Sequence, residues 1–215
     1  MMAVAMTSKD YVDYIRKISA RFEVLGDYIT ALDAATGDGD HWSNINTGFL
    51  KLVDIADELS QMSISDMLKK IGMTLMSAVG GSSGVLYGSA YLAAAKATMQ
   101  EQTITLPVLA NLLEAMQTAI MQRGNAQPNQ KTMLDALYPA VQALKQALAE
   151  GKPEIDALQA MKLAATDGAA ATKSMEAVRG RACYQANKGV GHLDPGAVTM
   201  SYQLETLADS ILTLI

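Results

Sequence analysis

Three acids, Asp33, Asp38 and Asp40, fall within eight residues of the stretch LDAATGDGDHWSNINTG at Leu32–Gly48, with Gly37 and Gly39 alternating with the last two. Like charges this close repel, so the run contributes little to folding by itself. It makes chemical sense around a cation. Hard divalent ions such as Mg²⁺ take oxygen ligands, commonly one or two carboxylates completed by water and substrate phosphates. Glycine lets the backbone bend sharply enough to aim neighbouring acids at one point. A loop holding Mg²⁺ and a phosphate-bearing ligand is therefore one reading. A solvated turn with an N-cap is the other, since Asp-Gly pairs form turns readily.

Gly80–Gly88 reads GGSSGVLYG and runs into the Ala-rich Ser89–Met99. Two serines among glycines at a helix start suit an anion, because free N–H groups and the helix dipole both favour negative charge. Close helix packing at small residues is the competing reading. It is not a Walker loop, because no Gly-Lys-Ser/Thr follows. Asn125–Gln130 is a polar loop, and Met175–Asp194 is irregular and dense in Arg, Lys, Gly and His.

Helices must position these loops. Half of the 215 residues are apolar but only 5% are aromatic, with Ala, Leu, Met and Ile dominant. That is a helical-core composition rather than a sheet composition. Tyr11, Ile15, Ile18, Phe22, Leu25 and Ile29 recur at spacings of three and four, predicting one amphipathic helix from Thr7 to about Ala31. Further helices are expected from Ser43 or Asn44 to about Leu59, after a Ser63 or Ser65 cap with Met67, Ile71, Leu75 and Met76 inward, and from Pro107 to Gly124. Others begin at about Lys131, run from Ile155 to about Thr172, and start at Pro195. About eight helices and no convincing strand result. One domain over residues 1–215 is expected, an all-α up-and-down array with alternate loops gathered at one end.

The balance excludes some functions. A net charge of −5 argues against nucleic-acid binding, which needs a basic footprint. The lone cysteine, Cys183, excludes an internal disulfide and a Cys-rich zinc site, and reads as buried filler. Met1–Met6 is too short for a signal peptide, and no uncharged apolar run reaches the roughly 18–20 residues that span a bilayer. A cytoplasmic protein is expected.

Four pieces together resemble one family: LDAATGDGDH with Asn44, GGSSGVLYG, KTMLDAL at Lys131–Leu137, and GRACYQANKGVGHLDPGA at Gly180–Ala197. In order and spacing they look like the ADP-binding L subunit of phosphotransferase-dependent dihydroxyacetone kinase, which is also the nucleotide domain of the ATP-dependent kinases. The resemblance covers essentially the whole chain. It implies a closed barrel of eight antiparallel helices with the nucleotide at one end. Asp33, Asp38 and Asp40 would hold two Mg²⁺ that bridge the phosphates of a tightly bound ADP. Three carboxylates and two Mg²⁺ sum to a formal +1, which offsets a polyphosphate. His41 and Asn44 would lie beside the phosphates, and Gly81, Ser82 and Ser83 would bind them. Gly124 and Met133 would border the adenine, and Thr132 would hydrogen-bond the nucleotide. Arg181 would contact the nucleotide, and Asp194, Pro195 and Gly196 would close over it. The implied partners are a phosphotransferase M subunit that phosphorylates the ADP and a K subunit that carries dihydroxyacetone.

The sequence departs from the family at three places. Trp42 stands where the family has Gly, Asn129-Gln130 where it has Gly-Asp, and Ala186-Asn187-Lys188 where it has Gly-Glu-Arg. Lys188 would position phosphate with a point charge but without the fork of an arginine. Trp42 reads as a packing or partner-contact residue. His192 reads either as functional or as ordering its loop. Arg179, Arg181 and Lys188 form a basic face for a phosphate or acidic partner, or a solvated one. The alternatives carried forward are the nucleotide domain of an ATP-dependent ketose kinase, a paralogue acting on another triose or tetrose, and an ADP-binding protein that signals to a transcription regulator.

Overall fold

Local sequence sets where each helix starts. In the computed structural model, which describes residues 4–215, α1 spans Ser8–Val24 behind a capping box. The Thr7 N–H donates to Asp10 at 2.8 Å and the Asp10 N–H returns to the Thr7 hydroxyl, satisfying two end donors reciprocally. Met1–Ala3, part of the apolar Met1–Met6 stretch, lie outside the described residues. The single predicted helix is interrupted at Leu25, and α2 (Gly26–Thr36) continues past it. Asp33 therefore sits on the last turn of a helix rather than in a loop. Then follow α3 (His41–Asp54), the short α4 (Ala56–Ser60) and α5 (Ile64–Ala78). Ser63 caps α5 through the Asp66 N–H at 3.1 Å. Next are α6 (Gly81–Ala97), α7 (Leu106–Gly124), α8 (Leu134–Ala149), α9 (Glu154–Ala171) and α10 (Pro195–Leu212).

The pairings form a circuit. α1 packs on α3 and α3 on α5. From α5 to α10 each helix packs on the next, and α10 returns to α1. These eight form the ring, while α2 and α4 are short extensions that raise the total to ten among the described residues. A single isolated bridge, Met6 with Ile104, is all the strand pairing among those residues. Antiparallel neighbours can approach closely where the residues are small. A Cβ on Gly88 would fall 2.7 Å from Met76, and one on Gly168 would fall 2.8 Å from Pro139.

The interior is closed by apolar packing. Phe22 and Phe49 meet edge to face at 5.1 Å, and both are fully buried. Four buried tyrosines lie deeper, with Tyr11 hydroxyl on Tyr91 at 3.3 Å and Gln203 amide donating to Tyr87 at 2.7 Å. Burial pushes all four phenols up. The methionine reading holds for Met67, which is buried, but Met76 is 40% exposed. The α5 face it occupies turns partly to solvent. Among the described residues no helix is long and apolar enough to cross a membrane.

The break between α1 and α2 explains Trp42. Its indole N–H donates to the Phe22 carbonyl at 2.8 Å. Its ring lies where a Cβ on Gly26 would come within 2.8 Å. Trp42 is thus a packing residue that locks the start of α3 onto the end of α1 and so fixes the acidic loop between them. Trp42→Phe keeps most of the packing but strands a carbonyl, which costs about 1–3 kcal/mol. Urea denaturation followed by circular dichroism should show that loss. An unchanged midpoint would show that the indole bond holds nothing.

Candidate functional site

Four inter-helix segments converge on one cavity of about 670 Å³ at one end of the ring. The first is the α2–α3 turn. Gly37 ends α2 by donating its N–H to the Asp33 carbonyl, and Gly39 takes a left-handed φ of +77° that a side chain would resist. Asp40 occupies the N-cap of α3 yet makes no side-chain cap bond. Its carboxylate is therefore left for another partner. Asp33 accepts the His41 N–H at 3.0 Å. Asp33, Asp38 and Asp40 bring carboxylate oxygens within 4.8 Å of one another, Asp33 buried and the other two exposed. An all-carboxylate oxygen set of this size fits a hard divalent cation such as Mg²⁺.

The second segment is the start of α6. Gly80 is the N-cap and provides no side chain to cap the first turn. Gly81 has φ +63°. Ser82 and Ser83 lie on that turn and line the cavity with Gly81. Uncapped N–H groups and two hydroxyls at the positive end of a helix dipole are the chemistry that suits an anion. The helix starts at Gly81, so these serines are helical rather than part of a preceding loop. Asn44, on α3, reaches the same wall.

The third segment links α7 to α8. Asn125, Asn129 and Lys131 all have left-handed φ. Asp135 holds this strained turn by accepting the N–H groups of Asn129 and, at 2.8 Å, of Thr132. The helix expected from Lys131 starts instead at Leu134, because residues 131–133 are spent on the turn. Gly124, Thr132 and Met133 line the cavity here, and Leu86, Ile120 and Ala126 add apolar wall. Burial raises the Asp135 carboxyl, although the backbone donors and Lys131 oppose it.

The fourth segment runs from α9 to α10. Arg181 pairs with Asp38 at 2.6 Å, both groups partly exposed. Arg179 donates from Nε to the Asn125 carbonyl at 2.8 Å. Both arginines line the cavity, as do Asp194, Pro195 and Gly196. Asp194 caps α10 through the Ala197 N–H at 2.7 Å, and Pro195 opens that helix, a position where its missing N–H costs nothing.

His41 is tied down on both sides. Its Nε2 lies 2.9 Å from the Thr199 hydroxyl. The same hydroxyl lies 3.1 and 3.2 Å from the Pro195 and Gly196 carbonyls, so Thr199 ties the ring to the start of α10. Burial lowers the imidazole, with Asp33 and Asp40 opposing, so the neutral ring is favoured.

Every residue expected at the site lines this cavity except one. Lys188 is exposed and pairs with Glu176 at 2.8 Å, which raises its pKa. Its ammonium is committed away from the cavity, so it does not position phosphate in this structure. Cys183 is also corrected. It is partly exposed, with its thiol donating to the Gly180 carbonyl, rather than buried filler. His192 leaves its side chain exposed; its carbonyl accepts from Lys131 and its N–H donates to the Gly189 carbonyl. Sequence reasoning missed Lys131, Leu86 and Ile120 as lining residues. Lys131 stood inside the quoted KTMLDAL, but nothing in the sequence shows that its ammonium turns inward.

Asp194 supplies a pH prediction. Burial raises its carboxyl to about 7, with Asp135 and Asp33 adding to the rise and the Ala197 N–H and Lys131 opposing it. The folded state therefore keeps a proton that the unfolded chain, near an ordinary carboxylate value of about 3.9, has released. Stability falls as pH rises between those values. Urea midpoints taken at about pH 5 and about pH 7 should show that slope in the parent, and Asp194→Asn should flatten it. An identical slope in the variant would contradict the assignment.

The DAK2 domain family matches residues 35–209. The chain is 35% identical over 205 residues to the "PEP-dependent dihydroxyacetone kinase, ADP-binding subunit DhaL" of Escherichia coli strain K12, covering 95% of this chain and 98% of that protein. It is 33% identical over 206 residues to the "PTS-dependent dihydroxyacetone kinase, ADP-binding subunit DhaL" of Lactococcus lactis, covering 96% and 99%. It is also 34% identical to the rat "Triokinase/FMN cyclase", of which it spans 34%. A solved structure of the dihydroxyacetone kinase from C. freundii in complex with AMP-PNP and Mg²⁺ superposes with a TM-score of 0.70 at 29% identity. That match covers 93% of this chain and 33% of the longer one. The chain therefore belongs to the DAK2 domain family, in the branch of ADP-binding subunits of dihydroxyacetone kinases.

Proposed function

We propose that this cavity holds ADP with two Mg²⁺ as a standing cofactor, and that the chain relays a phosphoryl group through it in the cytoplasm. The donor is a phosphotransferase-system M subunit, and the acceptor is dihydroxyacetone carried by a separate K subunit. The whole of residues 1–215 serves as one nucleotide-binding unit. One observation carries the reading. The three carboxylates and the uncapped start of α6 line one cavity, so negative and positive ends are both presented to one polyphosphate. The names of the relatives supply the reaction class.

When bound, Mg²⁺ would neutralise charge that develops on the phosphates, and Asp33, Asp38 and Asp40 would hold it. The chain's own residues do the positioning, which is most of what phosphoryl transfer requires. The Ser82 and Ser83 hydroxyls and the first N–H groups of α6 donate to phosphate oxygens. Arg179 and Arg181 add cationic donors from the far wall. His41, neutral and fixed by Thr199, lies beside the acids without adding charge. Leu86, Ile120, Ala126 and Met133 exclude water from the base.

The resemblance to triokinase favours a second reading, with ATP exchanging from solution. Nucleotide residence separates the two. Protein purified without added nucleotide and then denatured should release near-stoichiometric ADP, and Asp38→Ala should release almost none. Empty protein that binds Mg-ADP and sheds it within seconds supports the exchanging kinase. Protein that never binds Mg-ADP refutes both.

Each phosphate-binding hydroxyl is worth about 1 kcal/mol. Ser82→Ala and Ser83→Ala should each weaken ADP binding roughly fivefold to tenfold by calorimetry. Unchanged affinity in both would remove the α6 start from the site. Trp42, the only tryptophan, adjoins His41, so its fluorescence gives the same titration without a label.

A further inference from the structure

Residues 173–191 leave the ring as a strap between α9 and α10 and contribute Arg179, Gly180, Arg181 and Ala182 to the cavity wall. The strap is closed at its neck. The Gly191 N–H donates to the Lys173 carbonyl at 2.8 Å, and the Asp194 N–H donates to the Thr172 hydroxyl at 3.0 Å. Its body meets the walls through solvent-exposed polar contacts: Gln185 on the Ala35 carbonyl at 3.1 Å, Val178 N–H on the Gln130 carbonyl at 3.2 Å, Arg179 on the Asn125 carbonyl at 2.8 Å and Arg181 on Asp38 at 2.6 Å. Most of its side chains are exposed. Such a segment has few buried contacts to resist local opening.

One buried group meets the neck from outside. Lys131 belongs to the α7–α8 turn, is 2% exposed and has φ +59°. Its ammonium donates to the Thr172 and His192 carbonyls. Thr172 is the C-cap of α9, and His192 lies just past the strap's other end. The last carbonyls of a helix lack intrahelical donors and carry the negative end of its dipole. A lysine there caps α9 and joins both ends of the strap with one group. The fit is close, since a Cβ on Gly189 would sit 3.0 Å from Lys131 Cε.

We propose that Lys131 is the positioning residue of this strap: by clamping its neck it holds Arg179 and Arg181 over the cavity and slows release of the nucleotide. Lys131 acts through the backbone of the strap, so its effect is on residence rather than on the transfer step. The inference rests on the nucleotide reading only where dissociation is measured.

The test pairs limited proteolysis by an arginine-specific protease, which reads cleavage after Arg179 and Arg181 without any ligand, with dissociation of a fluorescent ADP in Mg²⁺. Two buried bonds to a charged donor are lost in Lys131→Met, so cleavage and dissociation should each quicken roughly tenfold or more. Lys131→Arg, which keeps a cation with donors for both carbonyls, should return both to within about twofold of the parent. Lys152→Met, on the distant α8–α9 turn, should change neither. A folded Lys131→Met with parental cleavage overturns the proposal. So does faster cleavage with unchanged dissociation, because the strap would then not hold the nucleotide. Loss of the helical signal in Lys131→Met assigns the residue to global stability and also overturns it. If the parent fails to bind the fluorescent ADP, the nucleotide reading falls, and the cleavage comparison alone decides whether Lys131 clamps the strap.

Discussion

Concentrated negative charge is the constraint on which this structure turns. Three carboxylates with oxygens within 4.8 Å of one another repel, and no packing of the chain repays that cost directly. The fold spends specific contacts on holding them together. Asp33 is placed by the last turn of α2 and accepts the His41 amide. Gly39 supplies the left-handed turn, and Trp42 pins α3 to the end of α1. Among the described residues Arg181 is the one cation paired with the cluster, at Asp38. Such a set of carboxylate oxygens is the donor chemistry that a hard divalent cation takes.

The rest of the site depends on how loops without helix are made rigid. Each is fastened by a polar group, mostly a buried one. Asp135 collects the amides of the α7–α8 turn, where three residues take left-handed φ. Lys131 fills carbonyls at both ends of the strap, and Asp194 caps α10. Lys131 and Asp135 face opposite charge, as do Lys131 and Asp194, so the turn and the strap share one electrostatic network. Buried networks of this kind are costly when half satisfied and rigid when complete. Placing them at the open end of the ring leaves the apolar interior free to do the folding.

Much of this was legible in the chain. The period of Tyr11, Ile15, Ile18 and Phe22 identifies α1, and Pro195 and Pro107 mark helix starts where the structure has them. The acids and the Gly-Ser run allow cation and anion sites on chemical grounds, beside a solvated turn and close helix packing, and the structure brings both runs to one cavity. What was not legible depends on tertiary contacts. The break at Leu25 lies where Trp42 docks against Gly26, a contact between residues sixteen apart in sequence. Residues 131–133 stay out of the helix because Asp135 captures the Asn129 and Thr132 amides, which overrides helical periodicity. Lys188 and Lys131 carry the same charge, yet one points to Glu176 in solvent and the other into the neck of the strap. Composition cannot distinguish them, because the difference lies in where residues 176 and 192 return in space.

The most direct test of the account is the coupling between the ion and the nucleotide. If a cation neutralises the three carboxylates so that they can face a polyphosphate, each ligand must strengthen the other by the same factor. Calorimetric titration of nucleotide-free protein with ADP, once with Mg²⁺ in excess and once in a chelator, measures that factor. The account predicts affinity at least roughly a hundredfold higher with Mg²⁺, a coupling that vanishes in Asp33→Ala. Equal affinity in both conditions would mean that the acids and the nucleotide do not share an ion, and would contradict the account at its base.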